Sequence, residues 1–125
     1  MKELILKECK KCHALVKVLE DCTCEDCGLM CCNEKMAVVK PNTMDASFEK
    51  HIPTYEIKDN EMIVTVNHVM EEDHYIEWIL VKMEKKNIEV LLEPTETPTI
   101  TVPYEKGALL YAYCNKHGLW RTEVK

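Results

Sequence analysis

The chain has 125 residues, eight of them cysteine, with 16 Lys and Arg against 22 Asp and Glu, a formal net charge of −6. That length suits one domain, or a small module beside a modest one. No basic stripe stands ready to neutralise phosphates, which excludes nucleic acid as an expected partner, and no apolar run is long enough to span a bilayer.

The N-terminal part, residues 1–37, holds seven of the eight cysteines and little core-forming sequence. So short a segment needs a staple such as a metal to fold. No apolar signal segment follows the basic start MKELILKECKK. The expected location is therefore cytoplasmic, where metal thiolates are favoured over disulfides. CKKC supplies Cys9 and Cys12, a spacing that lets two thiolates share one tetrahedral ion. A second pair is needed, and two are on offer. CEDCG supplies Cys24 and Cys27; CC supplies Cys31 and Cys32. Adjacent ligands strain the backbone, so spacing alone slightly favours Cys24 and Cys27. Iron and zinc both accept four thiolates.

Residues 38–47, VVKPNTMDAS, read as a linker with Pro41, Asn42 and Asp45 as turn formers. From residue 48 onward, 48–125, the pattern is β. PTYEIK (Pro53–Lys58), EMIVTVNHV (Glu61–Val69), YIEWILV (Tyr75–Val81), NIEVLLE (Asn87–Glu93), TITV (Thr99–Val102), ALLYAYC (Ala108–Cys114) and LWRTEV (Leu119–Val124) read as short strands. KDN, EKKN, EPTETP and YEKG separate several of them as turn signals. About seven such strands is the count of an immunoglobulin-like sandwich. No stretch holds a helical period over three turns, and the seven methionines read as core filler. The expected fold class is all-β: a metal-stapled N-terminal module followed by a seven-stranded β-sandwich.

Four histidines and the last cysteine lie in this second part: His51, His68, His74, Cys114 and His117. Taken singly, each is most simply a loop histidine or a buried thiol. Together they stand at strand ends or loops, and a sandwich gathers its loops at two ends, where they can converge. A thiolate with several imidazoles suits iron, copper or zinc over magnesium or calcium.

The ordered set EKHIP, HVMEEDHYIEWI and YCNKHGLW, behind CKKC and CCNEKM, closely resembles desulfoferrodoxin, the two-iron form of superoxide reductase, over nearly the whole chain. The resemblance implies an N-terminal desulforedoxin-like module. It implies that His51, His68, His74 and His117 are equatorial ligands of a mononuclear iron, with Cys114 as axial thiolate. Glu49 would occupy the remaining position in the resting ferric state, and Lys50 would attract superoxide. Cys9, Cys12, Cys31 and Cys32 would bind a second iron (zinc being the alternative), overriding the spacing preference for Cys24 and Cys27. The implied activity is one-electron reduction of superoxide to hydrogen peroxide, with electrons from a rubredoxin-like donor, in a homodimer. Two features depart from the family pattern: Cys22, Cys24 and Cys27 are surplus to it, and Val69 follows His68 where the family often has proline.

Overall fold

The computed structural model describes residues 3–25 and 28–125. They form two compact units, one ending at Lys40 and the other running from Pro41 to Lys125.

The first unit has more regular structure than its composition suggests. β1 (Ile5–Glu8) lies between β2 (Leu15–Val18) and β5 (Ala37–Val38), antiparallel to both. Its buried apolar side chains, among the described residues, are only Leu6 and Cys9. Beside them Lys7 is 7% exposed, and its Nζ donates to Asp21 Oδ1 at 2.8 Å. That bond holds the Lys7 ammonium above its ordinary range and the Asp21 carboxyl below its own. The same Asp21 oxygen accepts the Cys22 amide, so one carboxylate ties down both the lysine and the loop.

A second, two-stranded ribbon pairs β3 (Met30–Cys31) with β4 (Glu34–Lys35). The two residues between them, Cys32 and Asn33, have φ of 54° and 63°. This left-handed pair matches a type I′ hairpin turn. The backbone cost expected of adjacent cysteines is absorbed there by a turn that ribbons favour.

The second unit is an all-β sandwich, immunoglobulin-like in its seven strands: β6 (Pro53–Lys58), β7 (Glu61–Val66), β8 (Ile76–Lys82), β9 (Asn87–Leu91), β10 (Thr99–Pro103), β11 (Leu109–Cys114) and β12 (Gly118–Glu123). One sheet has the order β10-β7-β6 and the other β12-β11-β8-β9, every pairing antiparallel. Strict alternation in β7 sends Met62, Val64 and Val66 into the core, where Ile79, Val81, Leu110 and Ala112 meet them from the facing sheet. Asp59, with φ of 58°, turns the β6–β7 hairpin. The residues expected to link the units are partly structured: Asn42 lies along β12, where its side chain donates to Arg121 O and accepts the Arg121 amide, at 3.1 and 2.8 Å.

The molecule differs from the sequence expectation in two respects. One helical turn, α1 (Phe48–His51), precedes β6. Of the methionines read as core filler, Met62 and Met83 are buried but Met30 and Met44 are exposed. Among the described residues, no helix is long and apolar enough to cross a membrane.

Candidate metal centres

The sandwich brings three loops together at one end. His51 ends α1, His68 and His74 lie in the segment between β7 and β8, and Cys114 and His117 bracket the tight turn from β11 to β12. Each imidazole is aimed by its neighbours. His51, 4% exposed, donates from Nδ1 to Ser47 O at 2.7 Å. A carbonyl can only accept, so Nδ1 carries the proton and Nε2 presents a lone pair. His68 is set the same way, its Nδ1 donating to Val69 O. A backbone carbonyl serves that role whether or not proline stands at that position. The backbone of His74 is pinned by reciprocal bonds with Glu71, at 3.0 and 3.3 Å. Its Nε2 is buried with no hydrogen-bond partner, which is costly unless something else satisfies it.

The four rings form a square. Centroids along its sides are 4.7 Å (His51–His68), 4.6 Å (His68–His74), 5.1 Å (His74–His117) and 4.9 Å (His117–His51). The His51–His74 diagonal is 6.4 Å. Donor atoms of His51, His74, Cys114 and His117 all lie within 4.8 Å of one another. His68 falls outside that set but brings Nε2 to 3.5 Å from Cys114 Sγ. His117 Nδ1 is 3.9 Å from the same sulfur and 3.0 Å from His51 Nε2. Three Nε2 atoms, one Nδ1 and one sulfur therefore converge.

Electrostatics fit a cation in that space. Burial holds His51 below its ordinary range and His68 down at about 4, so both rings are neutral donors at pH 7. Burial likewise pushes the Cys114 thiol up, while the amides of Lys116 and His117 act against it by bonding the sulfur. A bound cation would supply what the site lacks, by taking the His74 lone pair and stabilising the thiolate.

Sequence reasoning missed the residues that support these donors. Trp120 stacks on His51 at 4.9 Å and donates Nε1 to His117 O at 3.1 Å. Asn115 accepts the Tyr75 amide and donates to Asp73 O, each at 3.0 Å, tying the His74 loop to the turn that carries Cys114 and His117. Glu49 and Lys50 are both exposed on α1 beside His51, and neither has a hydrogen bond or ion pair among the described residues.

In the first unit the sulfurs of Cys9, Cys12, Cys31 and Cys32 lie within 4.8 Å of one another. Sγ of Cys31 is 3.5 Å from that of Cys12 and 3.9 Å from that of Cys32. Tetrahedral bonds of about 2.3 Å would set sulfurs roughly 3.8 Å apart. The crowding is electrostatically lopsided. The Cys12 amide is the first cause that lowers Cys9 to about 6, while hydrogen bonding with Cys12 is the first that raises Cys31 to about 12. Cys24, the expected spacing partner, is disulfide-bonded and so cannot serve as a thiolate; Cys27 lies outside the described residues.

An imidazole square closed by a buried thiolate on a β-sandwich, in a chain that also carries a four-thiolate cluster, defines a metalloprotein with one site of mixed nitrogen and sulfur donors and one of sulfur alone. The desulfoferrodoxin family pattern matches residues 43–123. A desulfoferrodoxin of Syntrophotalea carbinolica is 37% identical over 97% of this chain and 97% of its own. Another, from Nitratidesulfovibrio vulgaris, is 34% identical over 94% of each. The crystal structure of the superoxide reductase from Treponema pallidum is 27% identical, with a TM-score of 0.71 over 98% of this chain and 100% of that one. The chain belongs to the desulfoferrodoxin family. Its cofactors are two irons, one for the histidine–cysteine set and one for the four cysteines.

Proposed function

We propose that the protein is an oxidoreductase of the superoxide reductase type, converting superoxide, one electron and two protons to hydrogen peroxide. The observation that carries this reading is the buried Cys114 sulfur set against the imidazole square. The name and fold of the Treponema pallidum protein support it. Iron held by this donor set would supply one-electron chemistry between its ferrous and ferric forms.

The chain's own residues supply the rest. His51, His68, His74 and His117 would hold the iron, with His51 and His68 kept neutral by burial. Cys114 donates electron density, tempered by the amides of Lys116 and His117. Lys50, exposed beside His51, provides local positive charge for an anionic substrate on a chain whose net charge is −6. Glu49, its neighbour on α1, is an exposed carboxylate that would serve as a further oxygen donor to iron in the oxidised protein. Cys9, Cys12, Cys31 and Cys32 hold the second iron, and tetrathiolate ligation suits one-electron exchange with a rubredoxin-like donor. For a cytoplasmic location the free thiols of Cys9, Cys12, Cys22, Cys31, Cys32 and Cys114 count in favour and the disulfide at Cys24 counts against. Homodimer formation agrees with the edge positions of β9 and β10.

The test is pulse radiolysis of the anaerobic ferrous protein. Reduction forms one hydrogen peroxide for each superoxide consumed and no dioxygen; dismutation forms dioxygen. Failure of the ferrous site to react would leave a non-enzymatic electron-transfer protein. Cys114→Ser should fold, lose the thiolate-to-iron visible absorption and lose turnover. A serine variant with normal superoxide reduction would remove Cys114 from its role.

A further inference from the structure

The turn α1 carries His51 together with Glu49 and Lys50, yet it has little of its own to hold it. It is four residues long, too short to be helical by propensity alone. Ser47 gives it no side-chain cap among the described residues, and Ile52 closes it by donating its amide to Phe48 O at 2.9 Å.

Its support comes from β12. Phe48 and His51 stand three apart, the spacing that puts two side chains on one helix face, and both meet the indole of Trp120. His51 stacks on it, with centroids 4.9 Å apart and planes at 28°; Phe48 meets it edge-on, at 6.1 Å and 74°. Both are arrangements that aromatic rings favour. The indole is itself fixed. Trp120 is 1% exposed, sits opposite Ala112 of β11, and donates Nε1 to His117 O at 3.1 Å. Phe48, by contrast, is 55% exposed and lies outside the sandwich core. A large apolar ring is left half in water, with its edge contact to Trp120.

A helical turn held along one face cannot roll about its axis. At about 100° per residue, Glu49 and Lys50 fall off the held face, and both are exposed. The contact that seats His51 therefore also decides where the carboxylate and the ammonium stand.

We infer that Trp120 is a positioning residue acting through α1: by packing against both Phe48 and His51 it fixes the roll of the turn, and with it the placement of Glu49 and Lys50 relative to the His51 ligand. What concerns Lys50 rests on the proposed reaction with superoxide; what concerns the turn does not.

The experiment compares wild type, Phe48→Ala and Phe48→Tyr as full-length, iron-loaded proteins. Phe48 is chosen because removing a half-exposed ring leaves the sandwich core intact, whereas removing Trp120 does not. The first readout is amide hydrogen exchange, followed by mass spectrometry at single residues. Phe48→Ala should speed exchange at the Ile52 amide by roughly 2- to 10-fold, the effect of losing one aromatic pair. Amides of β8 and β11 should keep their wild-type rates, and Phe48→Tyr, which keeps the ring, should match wild type throughout. The second readout is the rate of the ferrous protein with superoxide at low salt. Phe48→Ala should slow it, and Lys50→Ala should then cost less in the Phe48→Ala background than in wild type. Unchanged exchange at Ile52 overturns the inference. So does faster exchange throughout β8 and β11, because Phe48 would then support the fold at large. Fully additive costs of the two substitutions overturn the placement of Lys50. A wild-type protein inert to superoxide would sink the proposed function instead, and the exchange at Ile52 would still decide whether Trp120 holds the turn.

Discussion

Asn115→Ala should weaken iron binding at the histidine–cysteine site without unfolding the sandwich. The Asn115 side chain makes two bonds to the His74 loop, accepting from Tyr75 N and donating to Asp73 O, both at 3.0 Å. Its main-chain amide donates to Tyr75 O at 3.2 Å, and alanine keeps that bond. Each lost bond is worth about 0.5–1.5 kcal/mol net. Asn115 is exposed, so water replaces part of what is removed, and the two together come to about 1–2 kcal/mol. Both partners adjoin His74, so the loss falls on the order of that ligand. Charged wholly to the metal-bound form, it weakens iron binding by roughly 5- to 30-fold. The assay is chelator competition against the ferrous protein, with denaturant unfolding of the metal-free protein as control. Asn115→Asp, which keeps the acceptor for Tyr75, should fall between alanine and wild type. Wild-type affinity in Asn115→Ala would refute the reasoning. So would a loss of metal-free stability as large as the loss of affinity, because Asn115 would then hold the fold and not the ligand.

Lys50→Ala should slow the second-order reaction with superoxide at low ionic strength and flatten its salt dependence; equal rates at low salt would exclude steering by Lys50. Glu49→Ala should alter the resting ferric spectrum while sparing the reaction of the ferrous protein, and an unaltered ferric spectrum would remove the carboxylate from the iron. The metal-free protein should lose stability in acid. His51 and His68 are depressed by burial, His68 to about 4, whereas the unfolded chain takes up those protons near about pH 6.5. Unfolding therefore gains protons as the pH falls from about 6.5 toward 4, and stability falls with it. Guanidinium midpoints across that range would show the decline, and a flat profile would contradict it.

The strands of the sandwich were legible because their signals are local. Met62, Val64 and Val66 alternate with outward residues, and the expected Pro53–Lys58 strand has the observed bounds of β6. α1 was not legible, since four residues are too few to show a helical period. In the first unit, β1 and β2 are four residues each, too short to show a period of their own, and their pairing reveals them. The mild preference for Cys24 and Cys27 treated adjacent cysteines as strained. The left-handed pair Cys32 and Asn33 removes that objection, but it depends on β3 and β4 forming around it. The histidines and Cys114 could be named from the sequence because they resemble a family's ordered motif. Asn115 and Trp120 could not, for their meaning lies in partners 40 to 69 positions away: Asn115 reaches Tyr75 and Asp73, and Trp120 reaches His51.

The unequal division of buried apolar side chains between the units implies an order of maturation. The sandwich core runs from Met62 to Val124 and includes a single iron donor, Cys114. That unit can reach its native shape empty and take up iron afterwards, into loops already in place. The first unit, with Leu6 and Cys9 as its buried apolar side chains among the described residues, gains most of its folding energy from its ion. For it, acquiring metal and acquiring shape are one event. A newly made chain starved of iron would thus hold a finished sandwich joined to an unfinished N-terminal segment, whose thiols stay open to oxidation and proteases until metal arrives.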